Sequence, residues 1–489
     1  MSSDSRDVSR RHFLRQSLLA SAAVALTPRD LLALNHTPGG LERSEGASQR
    51  VLVVGAGLAG LAAAYELIEA GHEVTVLEAR TRPGGRIQTL RAPFAGGLRA
   101  EGSAARIPES HETVSRYADL LGLELKPFQP EDPTDLVYLD GRTLREDQSD
   151  LLEQAGLPAQ EQELGRKGMM KNYLAPLLKK LGDPSAPDWP DESLLRYDQM
   201  SGAEMLRDAG FSEAAVRFFN AGVGVADELS GLELLVQISS ASGSRRRIAG
   251  GTDQLPKALA AEISEHIRYG RPVTRIEQES DSVAAVCEGP AAQQRYTADR
   301  LVCTIPFPVL RDVEIDPAVS EGKQKAIEGL PYQAVTRVFV QTRERFWEEK
   351  GLSGFARTDH PMEIWDASYG QPGRRGILMA YLRDGLAREV AARSEEERVR
   401  FAVNAIADVF PRVRDTFDGA ATLVWDEDPW TRGAFATFRP GDYERFYRHL
   451  SRPEGRIHFA GEHVSPWPSW MQGALHSGIR AAQEIDEAE

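Results

Sequence analysis

The chain has 489 residues, of which 41% are hydrophobic and 27% charged, so it can bury a sizeable core and divide into two or more domains. Its formal net charge of −15 argues against nucleic acid as a partner, because phosphate binding needs clustered Lys and Arg. The two cysteines, Cys287 and Cys303, stand in no metal-ligand spacing, so we expect two buried thiols and no metal site.

The first 36 residues are typical of a targeting segment. Arg10 and Arg11 stand ahead of the apolar run from Ser17 to Leu26, a pattern that resembles a twin-arginine export signal. The run is shorter than the roughly 20 residues of a spanning helix, so we expect no stable membrane anchor. We predict a signal at 1–36, a linker at 37–49 and a periplasmic or secreted protein. A basic amphipathic N-terminal helix is the alternative.

A nucleotide-binding unit is predicted next. The apolar strand Val51 to Val54 runs into three glycines, which allow a tight turn, close approach to a pyrophosphate and close packing of helix on strand. A helix from Leu61 to Ala70 and a strand from Val74 to Leu77 follow. The helix N-terminus favours phosphate charge, and an acid after the second strand suits a ribose hydroxyl. We therefore predict dinucleotide binding by Gly55, Gly57, Leu58, Ala59, Gly60 and Glu78.

From about residue 112 the pattern changes. Leu-rich polar stretches broken by Pro and Gly continue to about residue 236 and are typical of helices. After Gly250 a helix to about His266 is predicted, and alternating patterns then predict strands. The predicted strands are Val273–Glu277, Val283–Cys287, Leu301–Thr304, Val335–Gln341, Gly376–Tyr381 and Arg456–Ala460, with a last helix from about Trp470 to Ile485.

These shifts predict an α/β protein in which a Rossmann-like domain is interleaved with a mixed-sheet substrate domain and a helical insert. We expect the dinucleotide-binding domain in three parts, at 50–111, 246–310 and 426–489. The helical or substrate region is expected at 112–245, and a substrate-binding domain at 311–425.

Four places within residues 50–485 resemble the flavin-dependent amine oxidase superfamily, and more closely an L-amino acid oxidase of bacterial type. The first, Glu78-Ala79-Arg80 through Gly84-Gly85-Arg86, is similar to the family's GG doublet. The resemblance implies an FAD-binding domain of this type, with backbone amides and the Arg86 guanidinium around the pyrophosphate. A planar guanidinium matches phosphate geometry. A solvated surface role for Arg86 is the alternative.

The second place is Glu101 to Pro108, where an arginine is followed by an aliphatic residue and Pro. The resemblance implies that Arg106 holds a substrate carboxylate, for which plain amine oxidases have no need. The residues before it depart from the family's usual Leu-Gly-Ala/Pro-Met. A surface salt bridge from Arg106 to Glu101 or Glu109 is the alternative. The resemblance also implies FAD contacts for Ser103, Ala104, Ala105, Arg106 and Val273.

The third place is a pair of strands. Leu378 to Tyr381 resembles the strand whose tyrosine hydroxyl gives the carboxylate a second hydrogen bond, although a buried Tyr381 in the core is the alternative. The stretch Ala334 to Arg337 falls where the family usually has a lysine beside the flavin. Arg337 keeps the positive charge, which implies a catalytic role, but it cannot act as a base.

The fourth place, Phe459–His463 and Ser469–Ala474, is similar to the family's C-terminal signature. The resemblance implies that Gly461 and Glu462 contact FAD, Glu462 through a hydroxyl. It also implies that a helix N-terminus at Met471 points an amide at the flavin.

The same signature implies a substrate site. Trp470, a catalytic and cofactor-lining residue, and Phe435 would form aromatic walls, with core packing as the alternative for both. The backbone carbonyl at or near Ser469 would accept from the α-amine. Ala434 stands where some monoamine oxidases place a flavin-linked cysteine, so we expect non-covalent FAD.

The resemblance implies oxidation of a small L-α-amino acid by oxygen to a 2-oxo acid, ammonia and hydrogen peroxide. Two alternatives stay open: a primary-amine or polyamine oxidase on the same FAD frame, and a flavin-binding protein without oxidase turnover. The side-chain preference and the oligomeric state also stay open, a homodimer being one option.

Overall fold

The computed structural model describes residues 40–41, 47–130, 133–222, 226–288, 292–360 and 362–488. The signal predicted at 1–36 and part of the linker predicted at 37–49 therefore lie outside the described residues. Within these ranges, no helix is long and apolar enough to cross a membrane.

A five-stranded parallel sheet forms the first layer of the molecule. Helix Leu58–Ala70 follows its central strand and ends at Gly71, whose φ of 101° suits a residue without a Cβ. Helix Met471–Asp486 packs against this helix so closely that a Cβ on Gly478 would lie 2.3 Å from the Ala59 carbonyl oxygen. The strands, in spatial order, are Ile267–Tyr269, Glu73–Glu78, Arg50–Val54, Arg300–Cys303 and Ile457–Phe459.

The strands of this sheet come from three separated parts of the chain, as the interleaved arrangement requires. The observed bounds of the four predicted strands differ from the predicted ones by one or two residues, but strand Ile267–Tyr269 was not predicted and the first helix begins at Leu58 rather than Leu61. It begins earlier because Gly57 is already its N-cap.

A seven-stranded sheet forms the second layer. Apolar side chains on one of its faces pack against helices Asp384–Ala391 and Glu395–Val409. The opposite face carries Arg337 and Tyr381, which are register partners on neighbouring antiparallel strands. The strands, in spatial order, are Phe417–Val424, Val335–Thr342, Gly376–Arg383, Met362–Asp366, Leu352–Thr358, Thr134–Leu139 and Arg142–Arg145.

The region predicted as a helical insert is helical in large part, but it also contains strands that we did not predict. Strand Leu125–Pro127 pairs with Arg245–Ile248, and a hairpin extends the large sheet. The hairpin turns at Asp140 and Gly141, both with positive φ, so the Asp-Gly signal was present in the sequence and overlooked. The helices of this region are Glu112–Leu120, Leu151–Gln154, Ala159–Met169, Ala175–Leu181, Glu192–Asp198, Gly202–Asp208, Glu213–Asn220 and Gly231–Ser240.

Smaller elements complete the described chain. Both cysteines are buried and unpaired, as expected. A four-stranded sheet contains Gln294–Ala298, Val283–Cys287, Val273–Gln278 and Glu314–Asp316. Short strands pair Thr89–Leu90 with Ala100–Glu101, Tyr332–Gln333 with Phe435–Ala436, and Ile107–Pro108 with Arg245–Ile248. The remaining α-helices are Gln254–Glu262, Phe307–Leu310, Glu321–Gly329, Val413–Thr416 and Arg448–Leu450, and other helical turns span Met170–Leu174, Ser264–His266, Glu348–Lys350, Tyr443–Tyr447 and Glu462–Val464.

Candidate active site

One deep cavity runs from the carboxyl ends of the parallel strands to the polar face of the large sheet. Its empty volume, the open mouth included, is about 1990 Å³, which is room for a ligand far larger than an amino acid. Every site residue predicted from the sequence lines it except Gly60. A Cβ on Gly60 would lie 1.9 Å from the Gly55 carbonyl oxygen, so Gly60 allows the helix to pack on the strand behind the cavity.

The glycine turn gives this cavity a site for an anionic group. The N-terminus of helix Leu58–Ala70 has no side-chain cap, so its first amides have no side-chain acceptor. A Cβ on Gly57 would meet no atom within 4 Å, which means that open space lies in front of this backbone. Free amides, the helix dipole and an open approach together fit a pyrophosphate.

Glu78 lies at the end of the neighbouring strand and is 6% exposed. Its carboxylate accepts from the backbone N–H groups of Ala56, at 2.7 Å, and Arg80, at 2.8 Å. These bonds fix the carboxylate at the cavity wall, and its other lone pairs remain available for a ribose hydroxyl. The Arg80 side chain pairs with Asp428 at 2.6 Å.

Arg86 and Glu462 join the first and last parts of the parallel-sheet domain. Arg86 Nη1 lies 2.6 Å from Glu462 Oε1 and also donates to the Ala434 carbonyl oxygen at 2.9 Å. The Arg86 side chain is 18% exposed, so the surface alternative does not hold. Glu462 Oε2 accepts from the Ser469 amide at 2.7 Å, so this ion pair also fixes the loop that leads into the last helix.

The N-terminus of that last helix also faces the cavity. Trp470 is the N-cap and Met471 the first helical residue, and no side chain caps the helix. Trp470 donates its indole N–H to Gln237 Oε1 at 3.0 Å and packs edge-on against His111. Ser469 has a φ of 71°, a strained value for a residue with a side chain, and such strain often marks functional sites.

Arg106 lies at the far end of the cavity. Its Nη1 is 3.6 Å from Glu363 Oε2, and its guanidinium lies 4.5 Å from the Trp365 ring centroid. The surface alternatives are wrong, because Glu101 accepts from Thr89 and Thr252, and Glu109 accepts from Ser244. Burial lowers the pKa of Arg106 below its ordinary value, although the group stays cationic at neutral pH.

Arg337 supports the segment that carries Arg106. Its Nη1 donates to the carbonyl oxygens of Glu101, at 2.8 Å, and Ser103, at 2.6 Å. The guanidinium also lies 4.6 Å from the Tyr381 ring centroid. Arg337 is 5% exposed, and burial lowers its pKa. Both bonds come from the same nitrogen, and a lysine ammonium, with three donors, can also donate to two carbonyl oxygens.

Several lining residues were missed by sequence reasoning. Glu233 and Gln237, one helical turn apart, hydrogen bond at 2.7 Å, and Tyr443 donates to Glu233 at 2.7 Å. Burial raises the pKa of Glu233 to about 8. Trp365 and Arg383 also line the cavity. Arg383 comes two residues after Tyr381 on one strand, so strand periodicity could have revealed it.

The histidines near the last helix take no part in the lining. His463 packs against Phe307, with ring centroids 4.6 Å apart, and His476 packs against Trp467 at 4.8 Å. Burial lowers the pKa of both, that of His476 to about 3. In the part of the chain that the structure describes, no three His, Cys, Asp or Glu residues form a metal-like group.

Comparison with known proteins gives the site its context. The chain matches a family model described as flavin containing amine oxidoreductase over residues 58–486. YobN of Bacillus subtilis (strain 168) is 31% identical over 461 residues, covering 90% of this chain and 95% of YobN. The L-amino-acid oxidase of Siganus canaliculatus is 31% identical over 469 residues, covering 90% and 86%. A solved putrescine oxidase triple mutant matches with a TM-score of 0.79 at 22% identity, covering 90% of this chain and 98% of that one, which confirms the predicted fold class.

Proposed function

Because the chain belongs to the family of flavin-containing amine oxidoreductases, we propose that it oxidises an L-α-amino acid to a 2-oxo acid, ammonia and hydrogen peroxide. The observation that carries this proposal is Arg106, a largely buried cation that lines the cavity, stacks on Trp365 and, among the described carboxylates, faces only Glu363 at 3.6 Å. An amine substrate offers nothing for this charge to bind. An α-carboxylate offers a charged, bidentate partner.

The residues at the other end of the cavity fit FAD. The uncapped amides after Gly57 would hold the pyrophosphate, Glu78 a ribose, and the N-terminus at Met471 the flavin ring. When bound, FAD accepts the hydride from the substrate α-carbon and passes both electrons to oxygen. We propose that it is held without a covalent bond, since Ala434 lines the cavity and neither cysteine does.

The chain's own residues orient the substrate and exclude water. Arg106 and Tyr381 would fix the carboxylate, and the carbonyl of Ser469 would accept from the α-amine. Trp470 and Phe435 would form the apolar walls between which the α-carbon is held. No side-chain acid or base is assigned, because the amine proton can leave to solvent before the substrate reacts.

The test is a peroxide assay on the purified holoenzyme. Each of the twenty L-amino acids is compared with its decarboxylated amine where one exists, and the amino acids should be the better substrates. Turnover of amines alone would support the amine-oxidase alternative. A flavin-loaded protein that releases no peroxide with any of these compounds would support flavin binding without oxidase turnover.

The cellular location of the protein is a separate proposal. We propose export through the twin-arginine route, on the strength of Arg10 and Arg11 ahead of an apolar run. In a host with this pathway, replacing both arginines with lysine should leave active protein in the cytoplasm. Unchanged export of the double variant would contradict the proposal. We propose a homodimer as the assembly, and light scattering of the purified protein measures its mass.

A further inference from the structure

The turn formed by Pro468, Ser469 and Trp470 carries the amine end of the proposed site, and we call these three residues the amine-end turn. Ser469 and Trp470 line the cavity. Within the described part of the chain, no hydrogen bond reaches the Ser469 carbonyl oxygen, so this oxygen is free to accept from an amine. Its position depends on the groups that hold Ser469 at its φ of 71°.

One side of the turn is held by the parallel-sheet domain. The Ser469 amide donates to Glu462 Oε2 at 2.7 Å, while Glu462 Oε1 pairs with Arg86. This bond fixes the N–H side of Ser469. The Ser469 hydroxyl and the Trp470 indole are held by another element.

Gln237, on helix Gly231–Ser240 of the insert, holds the rest of the turn. Its Oε1 accepts from the Trp470 indole N–H at 3.0 Å, and its Nε2 donates to the Pro468 carbonyl oxygen at 3.2 Å. The Ser469 hydroxyl lies 3.1 Å from Nε2 and 3.3 Å from Oε1. A single amide group therefore contacts all three residues of the amine-end turn, and Gln237 itself lines the cavity.

Glu233 fixes the orientation of this amide. It lies one helical turn before Gln237, is fully buried and accepts from Gln237 Nε2 at 2.7 Å. A carboxyl group keeps an accepting oxygen in both protonation states, whereas the Trp470 indole can only donate and needs the amide oxygen. A flipped amide would place its own N–H groups against the indole N–H. Because Tyr443 bonds the second oxygen of Glu233 at 2.7 Å, the carboxyl group itself is also held in place.

The carboxylate end of the site is built from other elements. Arg106 directly precedes strand Ile107–Pro108, and Tyr381 lies on strand Gly376–Arg383 of the large sheet. In the described structure, the hydrogen bonds of Gln237 go to Glu233 and to the amine-end turn and not to these two residues. A change at Gln237 should therefore act on the amine end and leave the carboxylate end in place.

We propose that Gln237 is a positioning residue for the oxidation: it holds the amine-end turn so that the Ser469 carbonyl accepts from the substrate α-amine and the Trp470 ring stands beside the α-carbon. This inference rests on the proposed function, since it assigns a further residue to the same site. Holding a substrate in its reactive orientation lowers the barrier of the chemical step, so loss of this support should lower kcat.

The first test replaces Gln237 with Met, which has a similar length and no amide. With the best L-amino acid on the holoenzyme, kcat should fall at least roughly tenfold. Binding of the carboxylic acid that has the same side chain and no α-amine, such as 4-methylpentanoate for L-leucine, should stay within about twofold, measured by the change in flavin absorbance. An unchanged kcat, or equal losses in kcat and in acid binding, would overturn the inference.

Gln237→Glu tests the amide in a side chain of the same shape. The variant keeps an oxygen for Trp470 but loses the donor to Glu233 and Pro468, and it places two carboxyl groups side by side, so kcat should fall. Adding Glu233→Gln returns a donor to the pair and should raise kcat again by at least roughly threefold. Absence of this recovery would show that the orientation of the amide does not matter and would overturn its assigned role.

Gln324→Met is the matched control. Gln324 forms the same kind of bond one helical turn along, to Glu328 at 2.6 Å, but it is exposed and does not line the cavity. This variant should leave kcat and acid binding unchanged, and melting temperatures check the folding of every variant. Failure of the proposed function looks different: a holoenzyme that oxidises amines and no L-amino acid overturns that function, whereas normal L-amino acid oxidation by Gln237→Met overturns only this inference.

Discussion

Replacing Arg106 with Met should remove the carboxylate clamp and leave the fold intact. The Arg106 side chain is 16% exposed, and its ion pair with Glu363, at 3.6 Å, is too long for a hydrogen bond. Glu363 keeps Arg383 and Trp365 in the variant, so no protein carboxylate loses its last partner. The loss should therefore fall on the substrate rather than on the stability of the protein.

The size of the effect follows from the site. Removing one partner of a buried, hydrogen-bonded charge pair costs about 3 kcal/mol, and at 1.36 kcal/mol per factor of ten this is roughly a hundredfold in kcat/KM. The assay is peroxide release from the preferred amino acid, with flavin content and melting temperature as controls. Arg374→Met is the matched arginine variant, since Arg374 is 81% exposed and pairs with Glu344. If Arg106→Met oxidises the amino acid within a fewfold of the parent, Arg106 does not anchor the substrate.

Three further predictions concern the other parts of the cavity. Gly57→Ala should fold normally, since its φ of −74° suits alanine. The added methyl group would occupy the open space in front of the helix amides and should weaken FAD retention at least roughly tenfold, measured by flavin absorbance after dialysis. Full FAD retention would contradict the pyrophosphate assignment. The folded protein keeps Glu233 protonated up to about pH 8, because its pKa is raised there, whereas the unfolded chain loses this proton at the ordinary pKa of 4.5. The stability of the fold should therefore decrease as the pH rises between these two values. Glu233→Gln should reduce this loss of stability with rising pH. If the melting temperatures of parent and variant fall equally from pH 5 to pH 8, the reasoning is wrong. Arg337→Met should slow reoxidation by oxygen in stopped-flow experiments and should also weaken substrate binding, because Arg337 holds the carbonyls of Glu101 and Ser103 just before Arg106. Arg337→Lys should recover much of the reoxidation rate, and normal reoxidation in the Met variant would contradict a role for Arg337 beside the flavin.

Local sequence patterns were enough to predict most of the fold. Continuous apolar runs and glycines at fixed spacing predicted four of the five strands of the parallel sheet and its first and last helices to within one or two residues, apart from the start at Leu58. The three-residue edge strand Ile267–Tyr269 was not predicted. Strand Thr134–Leu139 was missed although the Asp140-Gly141 turn signal follows it, whereas strand Leu125–Pro127 is part of a sheet only through its pairing with the distant Arg245–Ile248. Short, half-exposed segments have no periodicity that separates them from loops.

Some residues of the candidate site could likewise be predicted from the sequence and others could not. Motif residues such as Gly57 and Arg106 were found because their neighbours in the chain identify them. Glu363 and Trp365 were not, because their role depends on contact with Arg106, which is far away in the sequence. The ion pair of Arg106 shows the limit: the sequence offered Glu101 and Glu109 as nearby acids, whereas the actual partner comes from the large sheet.

The pairing of the first and last parts of the domain has a consequence for biosynthesis. The ion pair between Arg86 and Glu462 spans 376 residues of chain, and the helix after Trp470 forms one wall of the cavity. While the ribosome is still producing the middle of the protein, the glycine turn after the first strand has no opposite wall and presents its apolar surface to solvent. Such long-range closure is slow and leaves partly folded chains open to aggregation. Because a flavin in this cavity would need both walls, its retention would report that the last helix has folded onto the first part of the domain.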